Sequence, residues 1–302
     1  MYIIGNKGEQ MKTIASLMIM MTFVLSANAQ SLQDSVNALV AKYKGEVGIY
    51  AVDLANGDTV TCNPDKRFET ASVIKIWILG KLYQEAQNGK LSLNDRVVLT
   101  DSNKVPGSGI LQFMNAGLNP TLHDLAWLMI DLSDNSAANM LVDQVGGLKK
   151  VDDFIQSVGL KKTKMISKIF VPHTSIDTVL GKKFGIGVTT PRETAIYLTK
   201  LYNGEIVDSA SSMAMIKLME DQTYNIDIPR FLPTYKDTIT IAHKAGELNA
   251  TRNDCGIVYT PRVNYVIAVF TNKNADQRWI TDNSADVLIA KISRLIYDSF
   301  VK

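Results

Sequence analysis

The sequence has few of the residues from which covalent or metal-based frameworks are built. Its 302 residues include two cysteines, Cys62 and Cys255, and three histidines, His123, His173 and His243. The histidines show no ligand spacing to one another or to the cysteines, so the sequence predicts neither a metal site nor a cofactor. The cysteines either pair or stay free, and the apolar run around Cys255 favours free thiols.

Neither sign of charge predominates, and long apolar runs are scarce. There are 32 basic and 30 acidic side chains, and 46% of the residues are hydrophobic. This balance excludes a disordered chain and a polycation that coats nucleic acid. After residue 29, no apolar run approaches the roughly 18 residues that a membrane span needs. We therefore expect a globular, monomeric protein with no nucleic-acid partner and no membrane span in the mature chain.

The first 29 residues have the pattern of a secretory signal peptide. Lys12 precedes an apolar run over residues 14–25, and an Ala-Asn-Ala cleavage pattern ends at Ala29. The pattern predicts that the protein is secreted or periplasmic and that the mature domain covers residues 30–302.

Strand-like segments lie towards both ends of the mature chain, with helical segments between them. Apolar spacing predicts a first helix from Leu32 to Tyr43, and Asn56-Gly57 predicts a hairpin between strands at 47–53 and 58–62. Helical patterns continue from residue 72 to about 201. The remaining predicted elements are strands at 238–242, 255–259 and 263–270 and a helix at about 284–300.

This order of elements predicts a two-lobed α/β fold. An antiparallel sheet of about five strands, flanked by helices, would come from residues 30–70 and 205–302, with an all-α lobe inserted at about 71–204. A cleft between the lobes is a preferred place for a ligand. Residues 161–183 hold six lysines and one acid and lack a clear period, so we expect a long surface loop there.

Ser72 and Lys75 stand three residues apart at the start of a predicted helix, which places both side chains on one face. A serine hydroxyl is a weak nucleophile unless a neighbour accepts its proton, and a buried lysine can have a pKa low enough to do so. The alternative is a helix-terminal serine beside a solvated lysine.

Two further segments carry polar groups at the ends of predicted elements. Ser133 and Asn135 follow a helical stretch, where the hydroxyl can relay a proton and the amide can hold a carbonyl; such a triplet is also common as a helix cap. Lys244, Ala245 and Gly246 end a strand, where the lysine can bind an anion and the glycine admits an extended ligand. Lys-Gly is equally common at ordinary strand ends.

Together these segments have the order and approximate spacing found in serine penicillin-recognising enzymes, and the sequence resembles a class A β-lactamase-like serine hydrolase over almost the whole mature chain. The resemblance implies a two-lobed α/β fold and opening of the β-lactam ring through an acyl-enzyme. Further stretches that carry it are residues 88–96, Thr121-Leu122, residues 133–139, Thr189-Thr190-Pro191 and Arg252-Asn253-Asp254.

The resemblance also implies the catalytic roles. Ser72 would attack the lactam carbonyl, Lys75 would accept its proton, and Ser133 would protonate the departing nitrogen. The backbone N–H groups of Ser72 and Glu247 would form an oxyanion hole, in which one donor is typically worth roughly 3 kcal/mol of transition-state stabilisation.

Substrate binding is implied for a second set of residues. Asn135 would orient the substrate amide, and Lys244 with Gly246 would receive its carboxylate end. Family members usually carry Thr or Ser where Ala245 stands, and losing that hydroxyl would weaken carboxylate recognition by about 1–3 kcal/mol. Arg252 offers a planar fork that would compensate; a structural arginine is the alternative.

The interval from Thr163 to Pro191 departs further from the family. Class A β-lactamases carry there an E-x-x-L-N loop whose glutamate activates the deacylating water, and this interval has no glutamate. Loss of a general base typically slows a step by about 10² to 10⁴. Asp177 and His173 are the obvious titratable substitutes, with an ordinary polar loop residue as the alternative for each.

Three functions are therefore open. The first is a β-lactamase that is acylated at Ser72 and turns over slowly. The second is a penicillin-binding D-alanyl peptidase or an esterase, which shares Ser72, Lys75 and Ser133 and fits the missing glutamate. The third is a non-catalytic module that binds β-lactams or peptidoglycan peptides, which Ala245 and the altered loop would favour.

Overall fold

The computed structural model describes residues 31–234 and 238–301. The predicted signal peptide lies outside the described residues. Among those that are described, no helix is both long and apolar enough to cross a membrane.

Helices and strands alternate along the described chain much as the sequence patterns predict. In chain order they are α1 (Leu32–Ala41), β1 (Glu46–Asp53), β2 (Thr59–Cys62), β3 (Phe68–Glu69), α2 (Lys75–Gln87), α3 (Leu122–Asp131), α4 (Asn135–Gln144), α5 (Leu148–Ser157), β4 (Lys164–Met165), α6 (Thr178–Phe184), β5 (Gly187–Thr189), α7 (Pro191–Tyr202), α8 (Ser209–Glu220), β6 (Thr240–Leu248), β7 (Thr251–Tyr259), β8 (Tyr265–Asn272) and α9 (Ser284–Phe300).

A five-stranded antiparallel sheet joins the two ends of the chain, as predicted. Its strand order is β2-β1-β8-β7-β6, which leaves β6 at an edge. The hairpin between β1 and β2 turns at Gly57, whose φ of +81° is a conformation that glycine adopts without strain. Both cysteines are free thiols, as the sequence favours.

Helices cover both faces of the sheet, so the side chains of its central strands are apolar on both faces. Helices α1 and α9 pack on one face, where Val36, Ile267 and Ile292 meet in a buried cluster. Helix α7 packs on the other face, towards which Val266 and Phe270 of β8 point. This double burial explains the near-continuous hydrophobic run of β8.

The helical lobe surrounds α2, which is buried on nearly every side. Trp77 and Ile78 of α2 are fully buried and belong to a cluster that includes Met129, Leu141 and Phe154 from α3, α4 and α5. A helix that is apolar all round is a core helix. Because α2 is buried in the helical lobe, its position is fixed relative to the sheet. The turn that holds Ser72, directly before α2, is therefore fixed as well.

The all-α prediction for this lobe is wrong in one respect. Strands β3, β5 and β4 form a small separate sheet in that order. Each has only two or three residues, which is too short to show a period-2 pattern. The predicted loop at 161–183 is also wrong in part, because it contains β4 and most of α6.

A buried asparagine holds part of this segment against the helical lobe. Asn139 in α4 donates from Nδ2 to the carbonyl of Ile169 at 2.8 Å and accepts from the N–H of Ile169 at 3.0 Å. The side chain of Asn139, which is only 5% exposed, thus satisfies both the N–H and the carbonyl of Ile169.

Replacing this anchor should destabilise the fold. Asn139→Leu leaves two buried backbone groups of Ile169 without partners, so we expect the free energy of unfolding in urea to fall by about 2–4 kcal/mol. Asn94→Ala, at an exposed residue, is the matched control and should change it by less than about 0.5 kcal/mol. Equal stability of the two variants would contradict the anchoring role.

Candidate functional site

A cleft of about 200 Å³ lies between the edge strand β6 and the junction of α3 with α4. It brings together residues from distant parts of the sequence. Its lining consists of Ser72, Ser108, Asp131, Leu132, Ser133, Gln222, Thr223, Tyr224, Lys244, Ala245, Glu247 and Trp279.

The side chain of Lys75 lies behind this lining and is completely buried. Its Nζ atom is 3.2 Å from Ser72 Oγ, 3.1 Å from Ser133 Oγ and 2.8 Å from Asn135 Oδ1. It also donates to the backbone carbonyl of Ser133 at 2.6 Å. The four residues that the sequence singled out in two separate segments therefore meet at one amine.

Burial strongly favours the neutral form of this amine. Desolvation and the nearby positive charge of Lys244 lower the pKa of Lys75 well below its ordinary value of 10.5, while Asp134 opposes the shift. A lysine with such a pKa can accept a proton from a neighbouring hydroxyl.

Unusual backbone conformations aim the two hydroxyls at Lys75. Ser72 lies in a short 3₁₀ turn, Ala71–Ile74, that leads into α2, and the preceding Ala71 has a φ of +44°. Ser133, between α3 and α4, has a φ of +53°. Left-handed conformations cost residues with a Cβ roughly 1–2 kcal/mol, and such strain clusters at functional sites.

Asp134 fixes the junction that carries Ser133 and Asn135. It caps α4 by accepting from the N–H of Ala137 at 2.9 Å, and it accepts from Ile110 and Leu111 at 2.7 and 2.8 Å. The loop before α3 is thereby tied to the start of α4. Within this junction Asn135 Nδ2 donates to the carbonyl of Pro106 at 3.0 Å, which leaves the side-chain oxygen towards Lys75.

The edge strand β6 approaches the start of α2 so closely that it requires glycine. A Cβ atom on Gly246 would lie 2.8 Å from the Thr70 carbonyl oxygen and 2.9 Å from the Ser72 nitrogen. Neighbouring β7 secures the same contact, since Asn253 Nδ2 donates to the carbonyls of Glu69 and Thr70 at 2.9 and 3.2 Å. The sheet therefore holds the backbone of the segment that carries Ser72.

Lys244 and Ala245 present different chemistry to the cleft. Lys244 is 1% exposed, and burial lowers its pKa to about 8 against the raising effect of neighbouring carboxylates such as Asp254 and Glu247. Ala245 contributes only a methyl group. The cleft thus has a second lysine near Lys75 and lacks a hydroxyl at position 245.

The contacts of Arg252 favour the alternative of a structural arginine over the expected role in substrate binding. Its side chain is 1% exposed, with Nε 3.1 Å from Glu247 Oε1 and 3.3 Å from Asp286 Oδ1, and its guanidinium lies 4.4 Å from the ring centroid of Trp279. The two terminal nitrogens of Arg252 donate to backbone carbonyls, Nη1 to Leu248 and to Thr251 at 3.0 Å, and Nη2 to Arg278 at 3.3 Å. These contacts engage the fork that was expected to bind a substrate carboxylate, beneath the exposed ring of Trp279.

Two buried acids and the half-buried Glu247 form a group around Arg252 that the sequence did not predict. Carboxylate oxygens of Asp227, Glu247 and Asp286 lie within 4.8 Å of one another. Burial raises the pKa of Asp286 to about 7 and that of Asp227 well above its ordinary value. Glu247 also accepts a hydrogen bond from Tyr224 Oη. These acids come from three separate segments, so no local spacing indicates them.

Neither proposed substitute for the missing loop glutamate lines the cleft. Asp177 caps α6 through the Leu180 N–H at 3.0 Å and pairs with Lys164 at 3.1 Å. His173 lines a different groove, together with Phe170. The apolar ring of Phe170 lies near Gly107, on the side of Asn135.

Comparison with known proteins identifies the family. A model described as the β-lactamase enzyme family matches residues 31–300. The chain belongs to this family. The β-lactamase CARB-3 of Pseudomonas aeruginosa is 30% identical over 183 residues, or 60% of this chain. The matched stretch spans 61% of CARB-3 and 49% of the β-lactamase PSE-4 of the same species, which is less than two thirds of these curated relatives.

Solved structures agree with the two-lobed fold over nearly the whole described chain. A β-lactamase from Sphaerobacter thermophilus superposes with a TM-score of 0.79 at 31% identity, covering 89% of this chain and 97% of its own. A leucine-to-glutamate mutant of PBP-A, solved as an acyl-enzyme complex with penicillin G, gives 0.77 at 28% identity and covers 89% and 96%.

The close approach at Gly246 generates a prediction. Gly246→Ala forces backbone of β6 and the 3₁₀ turn apart, so we expect the free energy of unfolding to fall by about 1–3 kcal/mol in urea denaturation. Ala245→Ser, at the neighbouring residue that faces the cleft, should change it by less than about 0.5 kcal/mol. An unaffected Gly246→Ala variant would show that the strand does not hold the turn.

Proposed function

We propose that the protein is a serine hydrolase of the β-lactamase type that is acylated at Ser72. The observation that carries the proposal is the buried Lys75 amine within hydrogen-bond distance of both Ser72 Oγ and Ser133 Oγ. A nucleophile, its base and a proton relay are thereby present in one network.

Acylation follows from this arrangement. Neutral Lys75 takes the proton of Ser72 as Oγ bonds to the lactam carbonyl carbon, and the backbone N–H groups of Ser72 and Glu247 stabilise the resulting oxyanion. When the C–N bond breaks, Ser133 gives its proton to the nitrogen and regains one from the Lys75 ammonium. The ring is then open, the ester is on Ser72, and Lys75 is neutral again.

Deacylation has weaker support in the site. The loop contributes no carboxylate to the cleft lining, whose acids are Asp131 and Glu247. Water attack on the ester therefore lacks the aligned base that would typically accelerate it about 10² to 10⁴-fold. We infer that the acyl-enzyme accumulates and decays slowly.

The same observation favours a second function, a D-alanyl peptidase or an esterase. Such an enzyme uses the same acylation residues on a peptide or ester and fits a loop without glutamate. The likeness to PBP-A, which in mutant form was captured as a penicillin G acyl-enzyme, supports this alternative. A binding module without chemistry is less favoured, because the proton-transfer network around Lys75 is complete.

We also propose that the protein acts after export, as a monomer. The pattern over residues 1–29 supports cleavage near Gln30. Amino-terminal sequencing of the protein recovered from the periplasm or medium tests this, and retention of Lys12 would contradict it.

Intact-mass analysis tests acylation directly. The purified mature protein, treated with a penicillin, should gain the mass of the intact drug, and peptide mapping should place the adduct on Ser72. Ser72→Ala should abolish the adduct, and Lys75→Met should slow its formation by about 10² to 10⁴-fold because the proton acceptor is lost.

The time course separates the candidate functions. Slow decay of the adduct with release of opened drug supports β-lactamase chemistry. Release of D-alanine from a muropeptide, with negligible drug turnover, supports the peptidase. Failure of several penicillins and cephalosporins to form any adduct would contradict the proposal.

The pH dependence of acylation provides an independent prediction. The second-order acylation constant should rise with pH as Lys75 loses its proton. It should fall again above about pH 8, where Lys244 with a pKa of about 8 loses the charge that attracts a substrate carboxylate. In Lys244→Arg the guanidinium stays charged, so the alkaline fall should move to higher pH. An unchanged alkaline fall would contradict this role of Lys244.

A further inference from the structure

One wall of the cleft carries an ammonium with unused hydrogen-bonding capacity. Lys244 Nζ donates to the carbonyl of Ala245 at 3.0 Å, and this is its one acceptor within hydrogen-bond distance in the described part of the chain. An ammonium has three N–H donors, so two point to no protein acceptor. An anion that enters the cleft can receive them.

Thr223 places a free hydroxyl in the same cleft. Its Oγ1 atom lies 3.5 Å from the carbonyl of Asp131, which is beyond the 2.5–3.0 Å usual for O–H···O hydrogen bonds. The hydroxyl is therefore able to turn towards a ligand without breaking a strong bond.

The other hydroxyl groups that line the cleft either contact a protein group already or lie on its Asn135 side. Tyr224 donates to the Glu247 carboxylate, and Ser72 and Ser133 both contact Lys75. Ser108 belongs to the loop on the Asn135 side, where its carbonyl accepts from the Asn135 N–H at 3.1 Å. Thr223 is thus an uncommitted hydroxyl in the same cleft that the apolar Ala245 lines without one.

The backbone on both sides of Thr223 is held in place. Gln222 Nε2 donates to the carbonyl of Ile130 at 2.9 Å, and the N–H of Tyr224 donates to Gln222 Oε1 at 3.1 Å. Little ordering is then required when a ligand binds, which favours affinity.

Asp131 lies next to this wall. Its negative charge raises the pKa of Lys244 and so helps to keep the ammonium charged. Burial in turn raises the pKa of Asp131 itself. The net effect still leaves Lys244 and Thr223 as the groups that can donate to a carboxylate.

We propose that the Thr223 hydroxyl, together with Lys244, binds the carboxylate of the substrate in place of a hydroxyl at position 245. This inference rests on the proposed acylation at Ser72 and adds a specificity-determining residue to it.

Acylation kinetics of four proteins test this role: the wild type, Thr223→Val, Ala245→Thr and the double variant. Valine has the shape of threonine without the hydroxyl, and Thr223 is exposed, so folding should be unaffected. We expect Thr223→Val to raise the penicillin concentration for half-maximal acylation about tenfold or more, with the maximal rate unchanged within about twofold. Ala245→Thr in the double variant should restore the wild-type value.

The methyl ester of the same penicillin separates carboxylate binding from a general structural effect. Thr223→Val should leave acylation by the ester unchanged, because the ester presents no carboxylate. Thr199→Val, at a threonine outside the cleft, is the matched control and should behave as the wild type with both compounds.

Two results would overturn the inference: an unchanged half-saturation in Thr223→Val, or an equal loss with the free acid and the ester. Either result, obtained with normal adduct formation at Ser72, removes the role of Thr223 and leaves the proposed function standing. Absence of any adduct in the wild type removes both.

Discussion

The site depends on one physical constraint, the complete burial of a lysine amine among four oxygen atoms. A charged ammonium is strongly disfavoured without water, so burial makes Lys75 a base as well as a donor. The neighbouring features position the groups around Lys75. They are the left-handed residues Ala71 and Ser133, the Asp134 cap and the buried helix α2. The positive charge of Lys244 adds to desolvation in lowering the pKa of Lys75.

The two departures from the family pattern, Ala245 and the loop without a glutamate, lie outside the hydrogen-bond network of Lys75. That network is itself intact. The loop that was expected to supply a base instead places Phe170 near Asn135. Its one carboxylate, Asp177, and its histidine, His173, are not part of the cleft lining. The residue after Lys244 has lost its hydroxyl. Under the proposed function, such a site would form an acyl-enzyme and clear it slowly.

Sequence reasoning found the parts of the site that depend on local spacing. Ser72 and Lys75 meet because a helical turn separates them. Lys244 was predicted at the end of a strand, but β6 continues to Leu248 and Lys244 lies in its middle. Sequence reasoning could not find contacts that only the fold creates. Arg252 seemed free because nothing in its neighbourhood reveals Asp286 or Trp279, and Gly246 is required by the backbone of Thr70 and Ser72 rather than by its own conformation. Strands β3, β4 and β5 were too short to have a pattern.

The most direct test of this account is the ionisation of Lys75 itself. Selectively labelled lysine side chains can be titrated by NMR in the free protein, with the Lys75 resonance assigned by its disappearance in Lys75→Met. The account predicts that Lys75 loses its proton well below 10.5, the ordinary lysine value. A Lys75 resonance that titrates at that ordinary value would contradict it, because a lysine that stays charged cannot take the proton of Ser72.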